Sequence, residues 1–405
     1  MPLKWLIREG ERWIKDGIVT REQLDRIIAL YEPKERSVGI LPVLGGLFLG
    51  LSLLSLVAAN WQAIPSFVRI ALILLLMVGC YLLGWRLIAR GNGNLGAAVT
   101  GIGLFAFGGG IVLIEQMFHM MHFSAFPLVV WAAAGVALTY ICSSRYLFIL
   151  SVILLTVAQG YSVTAFNGIS LPALAVLVAG LAPFVLRYRH PAVTSIWSLT
   201  AVVHSLMLVV SKSWDFGWFF VPLMLLYVAG DLLKERNERI AMQVPPLAAA
   251  FLFSLAAALI NWQAETHWAT EAQADPAVYI PLFILLLAGS LYAKFRAGGT
   301  HSIFEWLVFL PVLYMPPAAI AIGYLAILFL FSLLTLLEGY ARESRSRINT
   351  GTGLFLIATM AAYFKLTWAF MDKALFFLIG GGILLLLSWL LNMRKRFVIG
   401  GKKEE

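Results

Sequence analysis

The chain has 405 residues, of which 61% are hydrophobic and 13% charged, with a formal net charge of +9. Soluble domains carry roughly 25% charged residues, so half that content, set among apolar runs near the ~20 residues needed to cross hydrocarbon, excludes an ordinary soluble enzyme and predicts a polytopic membrane protein. The positive excess does not imply a nucleic-acid partner, because it sits in the loops between apolar runs, where the positive-inside bias places it.

Residues 3–33 read as a helical hairpin outside the bilayer. Leu3 to Lys15 forms the first helix, carrying Trp5, Leu6, Trp13 and Ile14, and Asp16-Gly17 breaks it. Thr20 and Gln23 then form a capping box, in which a hydroxyl and an amide three residues apart satisfy each other's end of the helix. Leu24, Ile27, Ile28 and Tyr31 fall on one apolar stripe, and Pro33 ends the helix. The charged, amphipathic start is not that of a signal peptide. The eight Lys and Arg of residues 1–36 suit anionic lipid headgroups.

Fourteen apolar segments follow, at about 41–59, 67–89, 96–117, 125–142, 146–165, 170–186, 192–210, 217–233, 244–260, 278–293, 302–315, 317–337, 350–369 and 374–391. The eleventh is short and broken by Pro311, Pro316 and Pro317. Laid alternately across a membrane, these segments put 26 of the 30 Lys and Arg on one side. Arg69, Lys212, Lys365 and Lys373 lie on the other. The expected fold is therefore an all-α bundle of about fourteen transmembrane helices with both termini cytoplasmic. Residues 1–36 form the hairpin, 37–393 the membrane domain and 394–405 a basic cytoplasmic tail. Cys80 and Cys142 both fall inside apolar segments, so no disulfide framework is expected.

Two short passages recur. Asn60-Trp61-Gln62-Ala63 returns as Asn261-Trp262-Gln263-Ala264, each at the outer end of an outward-running segment. Thr100-Gly101-Ile102-Gly103-Leu104-Phe105 is echoed by Thr350-Gly351-Thr352-Gly353-Leu354-Phe355. Glu115 and Lys365 each lie fifteen residues beyond the start of this second echo, deep in their segments. Ionisable groups at such depth are costly unless paired or wetted, so an approach between the two is expected. Glu115, His119 and His122 share a stripe with Gly101 and Gly108 if the third helix continues that far, and Gly108-Gly109-Gly110 permits close packing or unwinding. The candidate functional cluster is Glu115, Lys365, His119, His122, Asn60, Trp61, Asn261 and Trp262. Among other polar residues at membrane depth, Asp231, Glu305 and Glu338 sit near cytoplasmic segment ends, where interfacial placement accounts for them. His204 lies mid-segment, where a helix–helix hydrogen bond is expected, and Gln159 and Asn167 complete the set.

The sequence holds no Walker lysine loop, HExxH, CxxC or nucleophile elbow. No catalytic, cofactor-binding or metal residue is assigned and no cofactor is expected. The expected partners are membrane lipids, with a homo-oligomer open.

Trp13-Ile14, Gly17-Ile18-Val19-Thr20, Gln23, Ile27 and Tyr31, then a span ending in Asn60-Trp61 with Ile64-Pro65 and Arg69, resemble a bacterial family of predicted membrane proteins, domain of unknown function twenty-one fifty-seven. The resemblance covers roughly residues 5–90. Tyr363-Phe364, Leu375-Phe376-Phe377-Leu378 and Gly380-Gly381 resemble the C-terminal part of such proteins. There an acidic residue often follows the Tyr-Phe pair, whereas here it is Lys365. The resemblance implies a protein of the bacterial cytoplasmic membrane and supplies no substrate. Three functions remain open: a transporter of a small solute or lipid-linked molecule, a non-transporting scaffold or sensor that uses the hairpin to bind a partner, and an intramembrane enzyme.

Overall fold

The computed structural model describes residues 9–10, 12–24, 40–58, 65–119, 124–260, 274–296, 302–367, 378–382 and 385–386. All regular structure among them is helical. Eight of the described helices are long and apolar enough to cross a membrane. The chain divides into two compact units, Met1–Gly109 and Gly110–Glu405, with the division inside the Gly108-Gly109-Gly110 run.

In the first unit the hairpin turn is closed from both sides. Gly17 takes a left-handed φ of +71°. Its N–H donates to the Ile14 carbonyl (3.1 Å) and that of Ile18 to Trp13 (2.9 Å), the paired bonds of a Schellman stop. The capping box then starts the next helix: Thr20 N donates to Gln23 Oε1 (2.9 Å) and Gln23 N to Thr20 Oγ1 (3.3 Å). Gly10 faces the buried Leu24 so closely that a Cβ there would lie 2.3 Å from a Leu24 methyl. Ile27, Ile28 and Tyr31 lie outside the described residues.

Three helices follow: α1 (Ile40–Ala58), α2 (Ser66–Ala89) and α3 (Gly93–Met117). Pro65 precedes α2 and Gly91, at φ +86°, turns the chain into α3. Here α2 and α3 meet through small residues. A Cβ on Gly84 would fall 2.4 Å from Thr100 Oγ1, and one on Gly96 would fall 2.7 Å from the Gly84 carbonyl. Small residues allow this backbone approach where water supplies no driving force between helices. The rest of α2 presents exposed Leu72, Leu75, Leu83 and Trp85, an apolar surface that suits lipid rather than water.

The second unit contains α4 (Phe126–Cys142), α5 (Arg145–Phe166), α6 (Leu171–Tyr188), α7 (Pro191–Ser211), α8 (Phe216–Asp231), α9 (Arg236–Leu259), α10 (Pro276–Arg296), α11 (Pro317–Ala341) and α12 (Arg345–Thr367). Short turns with left-handed Ser143, Asn167 and Arg189 separate the early members. Asn167 is thus a helix stop, a role suited to its short amide. α9 is the hub, packing on α7, α8, α11 and α12. Arg145 Nε reaches Tyr188 Oη (3.1 Å), Thr194 meets Glu238, and Lys294 meets Asp231. These bonds gather the Arg- and Lys-bearing helix termini at one end of the bundle, called the basic end below.

Three departures from α-helix are each met by a neighbour's polar group, as a medium without water requires. α6 widens to a π-turn at Val176–Leu181. The Leu177 carbonyl there accepts from Trp197 Nε1 (3.0 Å) and the Gly180 carbonyl from Tyr140 Oη (2.6 Å). α9 contains Pro245 and Pro246. Pro246 has no N–H for the Met242 carbonyl, and Ser198 Oγ of α7 donates to it instead (2.7 Å). The Pro-broken segment is not an α-helix but two 3-10 pieces, Ile303–Phe309 and Val312–Tyr314, and Tyr279 Oη of α10 donates to its Phe309 carbonyl (3.4 Å).

That 3-10 geometry lets so short a segment run along much of α10. Twelve residues rise roughly 24 Å at ~2.0 Å each, against ~18 Å in an α-helix. The segment lies antiparallel to α10. Trp306 Nε1 donates to Ser290 Oγ (2.9 Å) near one end, and Tyr314 Oη donates to the Ala274 carbonyl (2.8 Å) beyond the other.

α11 and α12 form a tight hairpin in which a Cβ on Gly351 would lie 2.6 Å from the Leu336 Cα, whereas one on Gly353 would meet nothing within 4 Å. Gly351→Ala should therefore destabilise the protein by about 1–3 kcal/mol, while Gly353→Ala is neutral or stabilising by about 0.5–1 kcal/mol; thermal unfolding in detergent reads both. In the same assay Ser198→Ala should cost about 1–3 kcal/mol by leaving the Met242 carbonyl without a donor. Adding Pro246→Ala, which supplies a backbone N–H there, should recover part of the loss.

Candidate functional site

The strongest concentration of buried charge lies at the basic end of the second unit. α8 ends at Asp231, so its carboxylate stands at the negative end of the helix dipole and gains nothing from it. The side chain is 1% exposed. Donors from two other helices satisfy it. Lys294 Nζ of α10 lies 3.3 Å from Oδ1, Gln243 Nε2 of α9 donates to the same oxygen (2.7 Å), and Ser290 Oγ donates to Oδ2. Gln243 also donates to the Tyr227 carbonyl (3.1 Å), and a Cβ on Gly230 would sit 2.5 Å from its Cγ, so Gly230 makes room for this amide.

Lys294, 6% exposed, carries the network onward. Its ammonium donates to Tyr227 Oη (2.8 Å), and that hydroxyl donates to Glu305 Oε2 (2.6 Å). Arg347 Nη2 of α12 is 4.0 Å from Glu305 Oε1. Arg347 Nη1 binds Glu338, whose other oxygen takes Arg342 Nη2 at 2.6 Å. Ser302 Oγ adds a bond to Glu338 (3.3 Å). The order Asp231, Lys294, Glu305, Arg347, Glu338, Arg342 alternates in sign and sums to zero. It grades from fully buried to partly exposed. On the interior side Trp306 packs edge-on against Tyr227, Phe283 and Phe309, with ring centroids 5.5–5.7 Å apart. Charges are therefore held against an aromatic layer, with an uninterrupted hydrogen-bonded path from Lys294 through Tyr227 to Glu305.

This placement corrects the reading of Asp231, Glu305 and Glu338 as three separate interfacial residues. Each is near a helix end, but all three are drawn into one network. The spacing of the acids along the chain carries no hint of that convergence. The partners Lys294 and Arg347 are indistinguishable in sequence from other positive-inside residues.

The cluster expected from sequence is distributed otherwise. Asn60, Trp61, His122, Asn261 and Trp262 lie outside the described residues. Glu115 is half-buried near the end of α3. The helix stops at Met117 and His119 turns left-handed (φ +50°), so His119 leaves the helical stripe. Lys365 donates to the carbonyls of Leu259 (3.2 Å) and Ile260 (2.6 Å) rather than to Glu115. The last carbonyls of a helix lack intrahelical donors and carry its negative pole, which suits an ammonium. Lys365 is thereby held at Ile260, where α9 has ended.

His204 meets both its own helix and a neighbour. Its Nδ1 bonds the Thr200 carbonyl of its own helix (2.9 Å), and its ring also faces the Leu155 carbonyl of α5. A carbonyl only accepts, so the bond to Thr200 requires a proton on Nδ1. Both amide atoms of Gln159, on the adjoining α5, are buried without a hydrogen-bond partner among the described residues.

Residues 11–148 match the model of DUF2157, a family of predicted membrane proteins. The DUF2157 match takes in the Schellman stop, the capping box and the helices as far as the start of α5. It ends well before Tyr227, so the charge network lies outside it. No curated protein and no solved structure matches the chain.

Lys294→Met would leave Asp231 charged and uncompensated in a dry site. It should cost about 3–5 kcal/mol, and Asp231→Asn combined with Lys294→Met should recover most of that loss. Urea unfolding in detergent measures both.

Proposed function

We propose that this is a transporter-like protein of the bacterial cytoplasmic membrane, with about fourteen membrane segments and both termini cytoplasmic, moving a small solute or a lipid-linked molecule. The observation that carries the reading is the Asp231–Lys294 pair, buried where several membrane helices end. A buried ion pair is weak evidence for stability, because hydrophobic residues of similar volume often serve as well. Its presence in an apolar bundle is better explained by work that needs charge. The non-α segment Ile303–Tyr314 beside it supports the same reading, since transporters place irregular backbone where a site is built. The hairpin supports a second reading, a partner-binding head. It closes on itself through Gly10 and Leu24 and leaves Ile18 exposed.

A transporter must open its interior to each side in turn, whereas a scaffold need not. With Cys80 and Cys142 replaced by Ala, Ser290→Cys should react with an impermeant thiol reagent from the basic side. Ser254→Cys, buried farther along α9, should react from the opposite side. Labelling one position should block labelling of the other in a variant carrying both. Cysteines inert from both sides, together with loss of phenotype on hairpin deletion alone, would favour the scaffold.

A further inference from the structure

We propose that a cleft at the basic end binds the headgroup of an aminophospholipid, a primary ammonium joined to a phosphate. The cleft, about 280 Å³, lies where α6 and α8 end and α7 and α9 begin. Its polar lining includes Glu238, Thr194, Arg189 and Lys234. It is a different site from the charge network, although Leu232 in its wall directly follows Asp231.

Glu238 carries the argument. The residue is 8% exposed. One carboxylate oxygen accepts from Thr194 Oγ1. Among the described residues the other has no donor and no cation comes within ion-pair distance, and the side chain lines the cleft. The first turn of α9 favours a negative charge at this position, and the carboxylate lacks only a cation partner among the described residues. Such an acceptor suits an ammonium, which can deliver a charge-assisted hydrogen bond. Arg189 and Lys234 are exposed in the same lining and make no side-chain bond within the described residues. They present positive charge to an anion. Cleft and ligand are thus complementary at both ends, carboxylate to ammonium and basic pair to phosphate.

Two features select a membrane lipid over a free zwitterion of the same chemistry. The cleft lies at helix ends, the depth of phospholipid headgroups. Leu186 and Leu232 in its wall are 53% and 71% exposed, which gives acyl chains an apolar surface to leave along. The volume falls just below the ~300–1,000 Å³ of drug-sized sites, and suits a headgroup whose tails remain in the bilayer.

The test uses the full chain in nanodiscs of phosphatidylcholine containing equal phosphatidylethanolamine and phosphatidylglycerol, with retained lipid read by native mass spectrometry after release into detergent. Wild type should retain phosphatidylethanolamine over phosphatidylglycerol by tenfold or more. Glu238→Gln should erase that preference, and Lys234→Met, at an exposed position, should weaken retention with an unchanged unfolding midpoint. Glu235→Gln, at an exposed carboxylate of the same lining, should keep the preference. Unchanged preference in folded Glu238→Gln, or retention of phosphatidylglycerol first, would overturn the proposal. Displacement by millimolar phosphoethanolamine would overturn the choice of a lipid, and resistance to it supports that choice. The result is independent of the transport reading, because it measures occupancy at equilibrium and the cysteine experiment measures opening.

Discussion

A carboxylate taken out of water must find donors or lose its charge, and at Asp231 that requirement organises one end of the protein. The helix that carries it supplies no favourable dipole there. The donors come from α9 and α10, and Lys294 then needs acceptors of its own. Tyr227 and Glu305 provide them, Glu305 draws in Arg347, and Arg347 draws in Glu338 and Arg342. Each charge in turn fixes the position of a further element. Five helices and the 3-10 segment converge on this end because the alternative is an unpaired charge in an apolar bundle.

The backbone obeys the same rule. Where the helical ladder is interrupted, a side chain from the next helix takes the place of water: Ser198 at the Pro246 break, Trp197 and Tyr140 at the π-turn, Lys365 at the end of α9. Such substitutions allow Pro, Gly and a wide helical turn to persist at membrane depth. They also make the positions of irregular backbone specific, since each needs one particular neighbour. The 3-10 segment is the largest case. Its greater rise per residue lets it follow α10, and its polar side chains bind at both ends of that run.

Most of the elements were legible in the sequence. Apolar runs mark helices wherever the environment is lipid, and the Thr20–Gln23 box and the Asp16-Gly17 stop depend only on local residues, so both appear as expected. The break at Pro311 was visible, but its conversion into an extended 3-10 run was not, because nothing local says that α10 will lie beside it. The charge network was hidden for a deeper reason. Asp231, Glu305 and Glu338 each stand near a helix end, and position along the chain cannot separate an acid facing water from one facing Lys294. A count of residues from an echoed motif gives position along a helix but not what a side chain meets. Lys365 lies where the count puts it in the helix, yet its ammonium turns to the carbonyls that end α9. Helix α3 stops two residues before His119, so the count outran the helix.

The central claim is that the alternating charges act as one unit rather than as separate pairs. Distant, independent sites add to within ~0.3–0.5 kcal/mol, whereas members of one network couple by ~0.5–3 kcal/mol. Asp231 and Arg347 share no described contact, being joined only through Lys294, Tyr227 and Glu305. The direct measurement is a double-mutant cycle on unfolding free energy with Asp231→Asn and Arg347→Gln. A coupling above about 1 kcal/mol is the expected result, and strict additivity would contradict the account.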